Sequence, residues 1–139
     1  MTPFQVRIAV RGYELDPNGH VNQAVYLQYA EHGRWEYLRA AGISHDALTA
    51  SGVGPVAMEN TIRYHAELRI ADEVDVSCQF TRASRKTFTV TQLLHRPDGQ
   101  LVAELSGVAG LLDLTRRKLI DDPVGHLRSL AAAPELFGD

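Results

Sequence analysis

The chain has 139 residues, of which 45% are hydrophobic and 22% charged, with a formal net charge of −3. That length and balance describe one globular domain with a sizeable core and exclude a disordered chain. No apolar run reaches the length of a membrane span and no basic-then-apolar leader opens the chain, so neither a membrane protein nor a secreted one is expected.

One cysteine, Cys78, excludes an internal disulfide framework and a cysteine-based zinc site, which favours the cytoplasm. The balance of 14 Lys and Arg against 17 Asp and Glu does not suit a nucleic-acid partner. Only Arg82–Lys86 and Arg116–Lys118 are locally basic, and each suits a phosphate at most.

The first strand alternates Phe4, Val6, Ile8 and Val10 with polar or small neighbours, the period of a half-buried strand. A turn-rich stretch, Glu14 to His20, follows. Next comes the one long helix, over about residues 22–41. Tyr26, Tyr29, Ala30, Gly33 and Tyr37 recur there at three- and four-residue steps, while Leu27, Trp35 and Leu38 widen the apolar surface. Such a helix is expected to be largely enclosed. Asn22 suits its N-cap and Gly42 its C-terminal stop. A short second helix is expected over 44–50, capped by Ser44, with a turn at 51–55.

The remainder reads as strands. Val56, Met58, Ile62 and Tyr64 are expected on one face, with Asn60 among them. Val74, Val76, Cys78 and Phe80 alternate in a second strand, and residues 87–94 form a third. Arg96-Pro97-Asp98-Gly99 is a hairpin turn into a long strand over 101–114, with a bend expected at Gly107 or Gly110. A polar tail and a short helical piece near 124–132 close the chain. One helix and a run of hairpin-linked strands imply an α+β domain, an antiparallel sheet wrapped on that helix.

The run Asp16-Pro17-Asn18-Gly19-His20-Val21-Asn22 stands just before the long helix. Free N–H groups and the positive end of the helix dipole lie there, and they can hold an oxyanion. A carboxylate in the same place can act as base or nucleophile on the same carbonyl. From spacing alone, Asp16 before Pro-Asn-Gly is equally an ordinary turn former, His20 a hydrogen-bonded turn residue and Asn22 only a cap.

Asp16-x-Asn18-x-His20-Val21-Asn22, followed by Tyr26, Tyr29 and Glu31 on the helix, resembles the hotdog-fold acyl thioesterases. These are the 4-hydroxybenzoyl-CoA thioesterase-like and acyl carrier protein thioesterase families. The order of elements is similar too, over about residues 4–114. The resemblance implies a hotdog fold in a single domain over residues 1–139, with its core at 4–114 and a tail at 115–139. It implies hydrolysis of an acyl-CoA or acyl carrier protein thioester with no cofactor and no metal.

By the same resemblance, Asp16 is the acid that attacks the thioester or activates water. Gln23 lends its backbone N–H to the oxyanion hole. Asn18 and His20 position the carboxylate or the water. Tyr26 lies beside the acyl group, and Tyr29 and Met58 line its pocket or simply form core. Arg82, Ser84, Arg85 and Lys86 hold the phosphates or pantetheine of CoA, or face an acidic carrier protein; otherwise they are a solvated basic hairpin.

Glu31 and Glu36 on the helix, and Glu59 and Glu67 beyond it, are the other candidate carboxylates. Arg34 is expected in a structural ion pair. The six histidines show no metal spacing, and His65 and His95 are expected at the surface. A hotdog hydratase or dehydratase is the second enzyme reading. Its motif has a proline after the Asn and one more residue before the His, whereas here Gly19 follows Asn18 and His20 comes next. A non-catalytic acyl-binding protein is the third. A small sheet around one helix leaves open edges, so a homodimer or homotetramer is expected.

Overall fold

The computed structural model describes residues 3–138. Its elements in chain order are β1 (Gln5–Ala9), a 3-10 turn (Gly12–Glu14), α1 (Gln23–Ala40), α2 (His45–Ala50), β2 (Val53–Tyr64), β3 (Glu73–Ser77), β4 (Gln79–Arg82), β5 (Phe88–His95), β6 (Leu101–Asp113), β7 (Lys118–Leu119), α3 (Pro123–Leu130) and a final 3-10 turn (Pro134–Phe137). One seven-stranded sheet runs β1-β3-β5-β6-β2, with β4 beside β5 and β7 beside β6. Every pairing is antiparallel. The α+β sheet curled against one long helix is the expected architecture.

Both caps of α1 are as the sequence suggests. Asn22 accepts the Ala24 N–H at 2.9 Å through its side chain. Gly42 lies just past the end with φ +86°, the left-handed conformation that stops a helix. Ser44 caps α2 by accepting the Ala47 N–H at 3.0 Å.

The helix is less enclosed than its apolar content suggests. Tyr26, Tyr29, Ala30, Gly33, Tyr37 and Leu38 are buried against the sheet. Leu27, Glu31 and Ala40 are exposed, and Trp35 is half-buried. Gly33 on the buried side lets the helix lie close to the strands, since a Cβ there would meet Val76 Cγ1 at 2.9 Å. The other side faces the edge strand β2 across a groove.

Two strand expectations are corrected. First, β2 carries a bulge: its register on β6 shifts between Ala57 and Glu59. Ala57 pairs with Ala109, whereas Asn60, Ile62 and Tyr64 pair with Gly107, Leu105 and Ala103. The extra residue flips the alternation, so Val56 and Met58 do not share a face with Ile62 and Tyr64. Second, the strand through Cys78 is broken there into β3 and β4. The long strand β6 runs unbroken through Gly107 and Gly110, as expected. Those glycines give room: a Cβ on Gly107 would meet Asn60 Oδ1 at 2.8 Å, and one on Gly110 would meet Leu119 Cδ2 and the Lys86 carbonyl at 3.0 Å.

The C-terminal segment is more than a polar tail. Val124, Leu127 and Phe137 are buried in one cluster with Tyr37, Phe80 and Phe88. Tyr37 donates its hydroxyl proton to the Leu136 carbonyl at 2.5 Å. Cys78 belongs to the same cluster, and burial pushes its thiol well above the usual range, so it is core and not a nucleophile.

Candidate active site

The segment between β1 and α1 folds as a compact loop. The Asp16 N–H donates to the His20 carbonyl at 2.8 Å, and the Gly19 N–H to the Asp16 carbonyl at 3.0 Å. Gly19 has φ +83°, which a side chain would resist. Asp16 Oδ1 accepts the Asn18 N–H at 2.9 Å, the side-chain turn that Asp-Pro-Asn favours. The loop is anchored below by Glu14, which is only 8% exposed. Its carboxylate accepts from the Tyr29 hydroxyl at 2.6 Å and from the Arg11 N–H at 2.8 Å. Its carbonyl accepts the Asn22 N–H at 2.9 Å.

That anchoring leaves Asp16 Oδ2 facing His20 Nδ1 at 3.1 Å. The Val21 carbonyl lies 3.3 Å from the same nitrogen. Two acceptors around Nδ1 fix its hydrogen there, and Nε2 of the neutral ring is then left with a lone pair. Beside the pair, α1 begins. Asn22 takes the Ala24 N–H with its side chain and the Val25 N–H with its carbonyl. The Gln23 N–H has no partner among the described residues. Asp16, His20, Val21, Asn22, Gln23 and Tyr26 line one side of an open cleft, with Tyr64, His65, Ala66 and Glu67 opposite.

The chain that carries this loop and cleft is similar to known proteins over most of its length. Residues 10–135 match the family model described as the thioesterase-like superfamily. The chain belongs to this superfamily. It is 31% identical over 118 residues to the long-chain acyl-CoA thioesterase FadM of Escherichia coli, covering 84% of this chain and 89% of FadM. It is 34% identical over 110 residues to a chloroplastic acyl-acyl carrier protein thioesterase of Arabidopsis thaliana. That match covers 78% of this chain but 58% of the plant protein. Among solved structures, Escherichia coli YbaW superposes with a TM-score of 0.79 at 31% identity, covering 91% of this chain and 94% of YbaW. A protein of Aquifex aeolicus superposes at 0.82 with 27% identity, covering 92% of this chain and 99% of that one. The fold is the hotdog fold.

Within this superfamily chain, the residues expected at the site divide. Asp16, His20, Gln23 and Tyr26 meet at the cleft. Tyr26 is buried, and its hydroxyl accepts the Leu68 N–H at 3.2 Å. Desolvation raises the Tyr26 pKa. Asn18 enters through its backbone N–H alone and does not line the cleft. Tyr29 is core: its hydroxyl holds Glu14, and desolvation, with that bond, pushes its pKa up. Met58 is exposed at the β2 bulge and lines no part of the cleft.

The basic stretch is elsewhere. Arg82 pairs with Phe88 in the β4–β5 ladder, whereas the cleft side of β5 is near Leu94 and Ala103. Six strand residues separate the two ends, roughly 20 Å. Arg82 is ion-paired to Asp122. Arg85 Nε lies 3.5 Å from Asp121 Oδ1, and Ser84 Oγ 2.6 Å from Thr87 Oγ1. Arg82 and Arg85 thus already have carboxylates, which the sequence could not show because the partners lie nearly forty positions away. Lys86 has no carboxylate partner among the described residues.

A second cavity of about 250 Å³ lies further along α1, in the seam between that helix and β2. Leu27, Glu31, Arg34, Trp35 and Leu38 form its helix wall, and Pro55, Val56, Ala57 and Asn60 its strand wall. Phe80, Phe88 and Val90 line its base. Of the alternative carboxylates, Glu31 lies in this groove and Glu67 at the cleft, 2.8 Å from Arg69 Nε. Glu36 is paired with Arg39 at 3.0 Å, and Glu59 is exposed on β2.

On the far wall of the cleft, sequence reasoning offered Glu67 as a candidate carboxylate and missed the place of His65. His65 is at the surface as expected, yet it lines the cleft. Tyr64 reaches across to donate to the Gln23 carbonyl at 3.0 Å. Tyr64 keeps the face of Asn60 and Ile62, and the bulge puts Ala57 instead of Val56 on that face. Arg34 is also misread. Its Nε donates to Gln92 Oε1 at 2.9 Å and its Nη2 to Asn60 Oδ1 at 2.8 Å, with no carboxylate within ion-pair distance. No helix among the described residues is long and apolar enough to cross a membrane.

Proposed function

We propose that this chain hydrolyses acyl thioesters, carried on coenzyme A or on an acyl carrier protein, in the cleft at the start of α1. The observation that carries this reading is the 3.1 Å contact between Asp16 Oδ2 and His20 Nδ1, set beside the unpartnered Gln23 N–H. The names of the relatives support it: one acts on long-chain acyl-CoA, the other on acyl carrier protein thioesters.

The thioester carbonyl sits at the helix N-terminus. His20 Nε2 takes a proton from water, and the resulting hydroxide attacks the carbonyl carbon. Asp16 holds the ring in the tautomer this needs and stabilises the imidazolium. Negative charge that develops on the carbonyl oxygen is met by the Gln23 N–H and the helix dipole. The tetrahedral intermediate collapses, the C–S bond breaks, and His20 returns its proton to the thiolate. Water and thioester give acid and thiol, with no other reactant. Direct attack by Asp16 is the alternative, and it requires Oδ2 to leave His20. The observed contact favours water activation.

Two wider statements belong to the same proposal. The described residues act as one domain, since the C-terminal segment shares a core with Tyr37 and Phe80. The protein assembles at least as a dimer, because β2 is a 12-residue edge strand with one side unpaired among the described residues. The single thiol, buried and unpaired, suits the cytoplasm.

A thiol-release assay tests the activity, with acyl-CoAs and acyl carrier protein esters of several chain lengths. Release by the wild type that His20→Gln abolishes is the expected result. No release from any ester, with water added to an enoyl-CoA instead, would transfer the site to the hydratases.

A further inference from the structure

The groove has one feature that an alkyl chain does not explain. Arg34 stands on its helix wall with no carboxylate partner among the described residues. Its position is built. Gln92 is fully buried, and its amide donates to the Ala30 carbonyl at 2.8 Å, so Oε1 is turned to Arg34 Nε. Two glycines keep the space clear. A Cβ on Gly33 would come within 3.1 Å of Gln92 Nε2, and one on Gly107 within 2.8 Å of Asn60 Oδ1.

Gln92 and Asn60 take one N–H each from Nε and Nη2, out of the five that a guanidinium carries. Nη1 has no hydrogen-bond partner among the described residues, and no buried side-chain atom is left unsatisfied. The free donors therefore open on the groove. Burial lowers the Arg34 pKa from the usual arginine value, as desolvation of a cation must. An unsubstituted chain laid over these donors would strip their water and return nothing. A chain with an acceptor oxygen at that place would replace the water. Glu31, on the same wall, disfavours a carboxylate.

We propose that Arg34, seated by Gln92 and Asn60, forms a polar subsite in the α1–β2 groove for an acyl chain that bears a neutral acceptor oxygen, a hydroxyl or a ketone. The proposal rests on the acyl thioesterase reading for its substrate. Arg34 follows Gln23 by eleven residues of helix, about 16 Å of rise. The oxygen it meets therefore lies well out along the chain and not next to the thioester.

Trp35, the one tryptophan of the chain, lines the same groove and reports its occupancy without any turnover. The probes are fatty acid methyl esters of one length: an unsubstituted chain, a series with one hydroxyl moved along the chain, and one ending in a carboxylate. Quenching of Trp35 fluorescence gives their affinities. One remote hydroxyl position is expected to bind about tenfold to a hundredfold tighter than the unsubstituted chain, as a hydrogen bond to a charged donor allows. Arg34→Met is expected to remove that preference. Asn60→Asp, which hands Arg34 a carboxylate, is expected to weaken it and serves if the first variant does not fold.

A flat series overturns the subsite, as does tightest binding by the carboxylate or a preference unchanged in Asn60→Asp. Thioester turnover with a flat series removes the subsite and leaves the thioesterase. A hydroxyl preference without turnover removes the thioesterase and leaves the subsite.

Discussion

Tyr64, at the end of the edge strand, donates its hydroxyl hydrogen to the carbonyl of Gln23, 3.0 Å away at the first residue of the central helix. The tie crosses from the edge strand to the helix start at the cleft. Its ring packs edge-on against Tyr26, with centroids 5.1 Å apart and planes at 81°. One phenol thus links the strand, the helix start and the aromatic wall. Tyr64→Phe keeps the ring and removes the tie. We expect kcat/KM to fall about threefold to tenfold, the worth of one ordinary hydrogen bond. Thermal stability is expected to stay within about 2 °C, because the residue is half exposed. Equal activity in both proteins would deny Tyr64 any part in placing the helix start.

Asp16 has two tasks that different substitutions separate. Oδ1 closes the turn on the Asn18 N–H, and Oδ2 faces His20. Asp16→Asn keeps an acceptor for the turn and loses the charge. Its turnover is expected to fall about a hundredfold to ten-thousandfold with stability within about 0.5 kcal/mol. Asp16→Ala loses both, and about 1 kcal/mol of stability with the turn. Steady-state kinetics beside urea unfolding reads the two effects apart. A turn-only role predicts normal turnover in Asp16→Asn.

The near side of the site was legible because its signals are local. Turn residues, an N-cap and a helix start all lie within Asp16 to Tyr26, and each acts on neighbours a few positions away. The far side was legible in part: Glu67 stood among the candidate carboxylates, whereas His65, just past the end of β2, read only as a surface residue. Arg82 and Arg85 looked free until the chain brought Asp122 and Asp121 back to them. Arg34 looked like half of an ion pair, yet its partners are two amides from other strands. Local chemistry is written in sequence order, and sheet register is not.

Arg7 holds Asp75 across β1 and β3 with two bonds, Nε to Oδ1 at 2.8 Å and Nη2 to Oδ2 at 3.0 Å. These hydrogen bonds keep the Asp75 carboxyl below its ordinary range, against the opposing effect of burial. An unfolded Asp titrates near about 3.9. A carboxylate with a lowered native pKa stabilises fully above that value and loses its effect as pH falls through the native one. Arg7→Met should therefore be less stable than the wild type near neutrality. The gap should close as pH falls below about 4. Urea unfolding of both proteins across that window checks it, and a gap independent of pH would show that packing of the Arg7 stem matters instead.

Gly42 ends α1 in a conformation that only glycine adopts freely, with φ +86°. The C-terminal segment packs directly on it. A Cβ there would lie 2.5 Å from Ala132 Cβ and 3.0 Å from the Ala132 nitrogen. Strain and clash act together, so Gly42→Ala is expected to lose about 2 kcal/mol or more. Gly52, also left-handed with φ +88°, has nothing within 4 Å of a Cβ. Gly52→Ala should lose only the conformational part, about 1 kcal/mol. The difference between the two Tm values isolates the contact of the tail with the helix end.

β2 pairs with β6 on one side and with nothing on the other among the described residues. Twelve residues of open edge are a template for another strand. Met58, 45% exposed at the bulge, adds apolar surface to this edge. A second copy of the chain would satisfy both the backbone groups and the side chain. Sedimentation at micromolar concentration is expected to give at least twice the monomer mass. Met58→Asp places a charge where the copies would meet and touches no buried contact of its own chain. Its expected result is a monomer with unchanged secondary structure by circular dichroism. A wild type that sediments as a monomer sinks the assembly, and a dimer that survives Met58→Asp moves the interface away from the bulge.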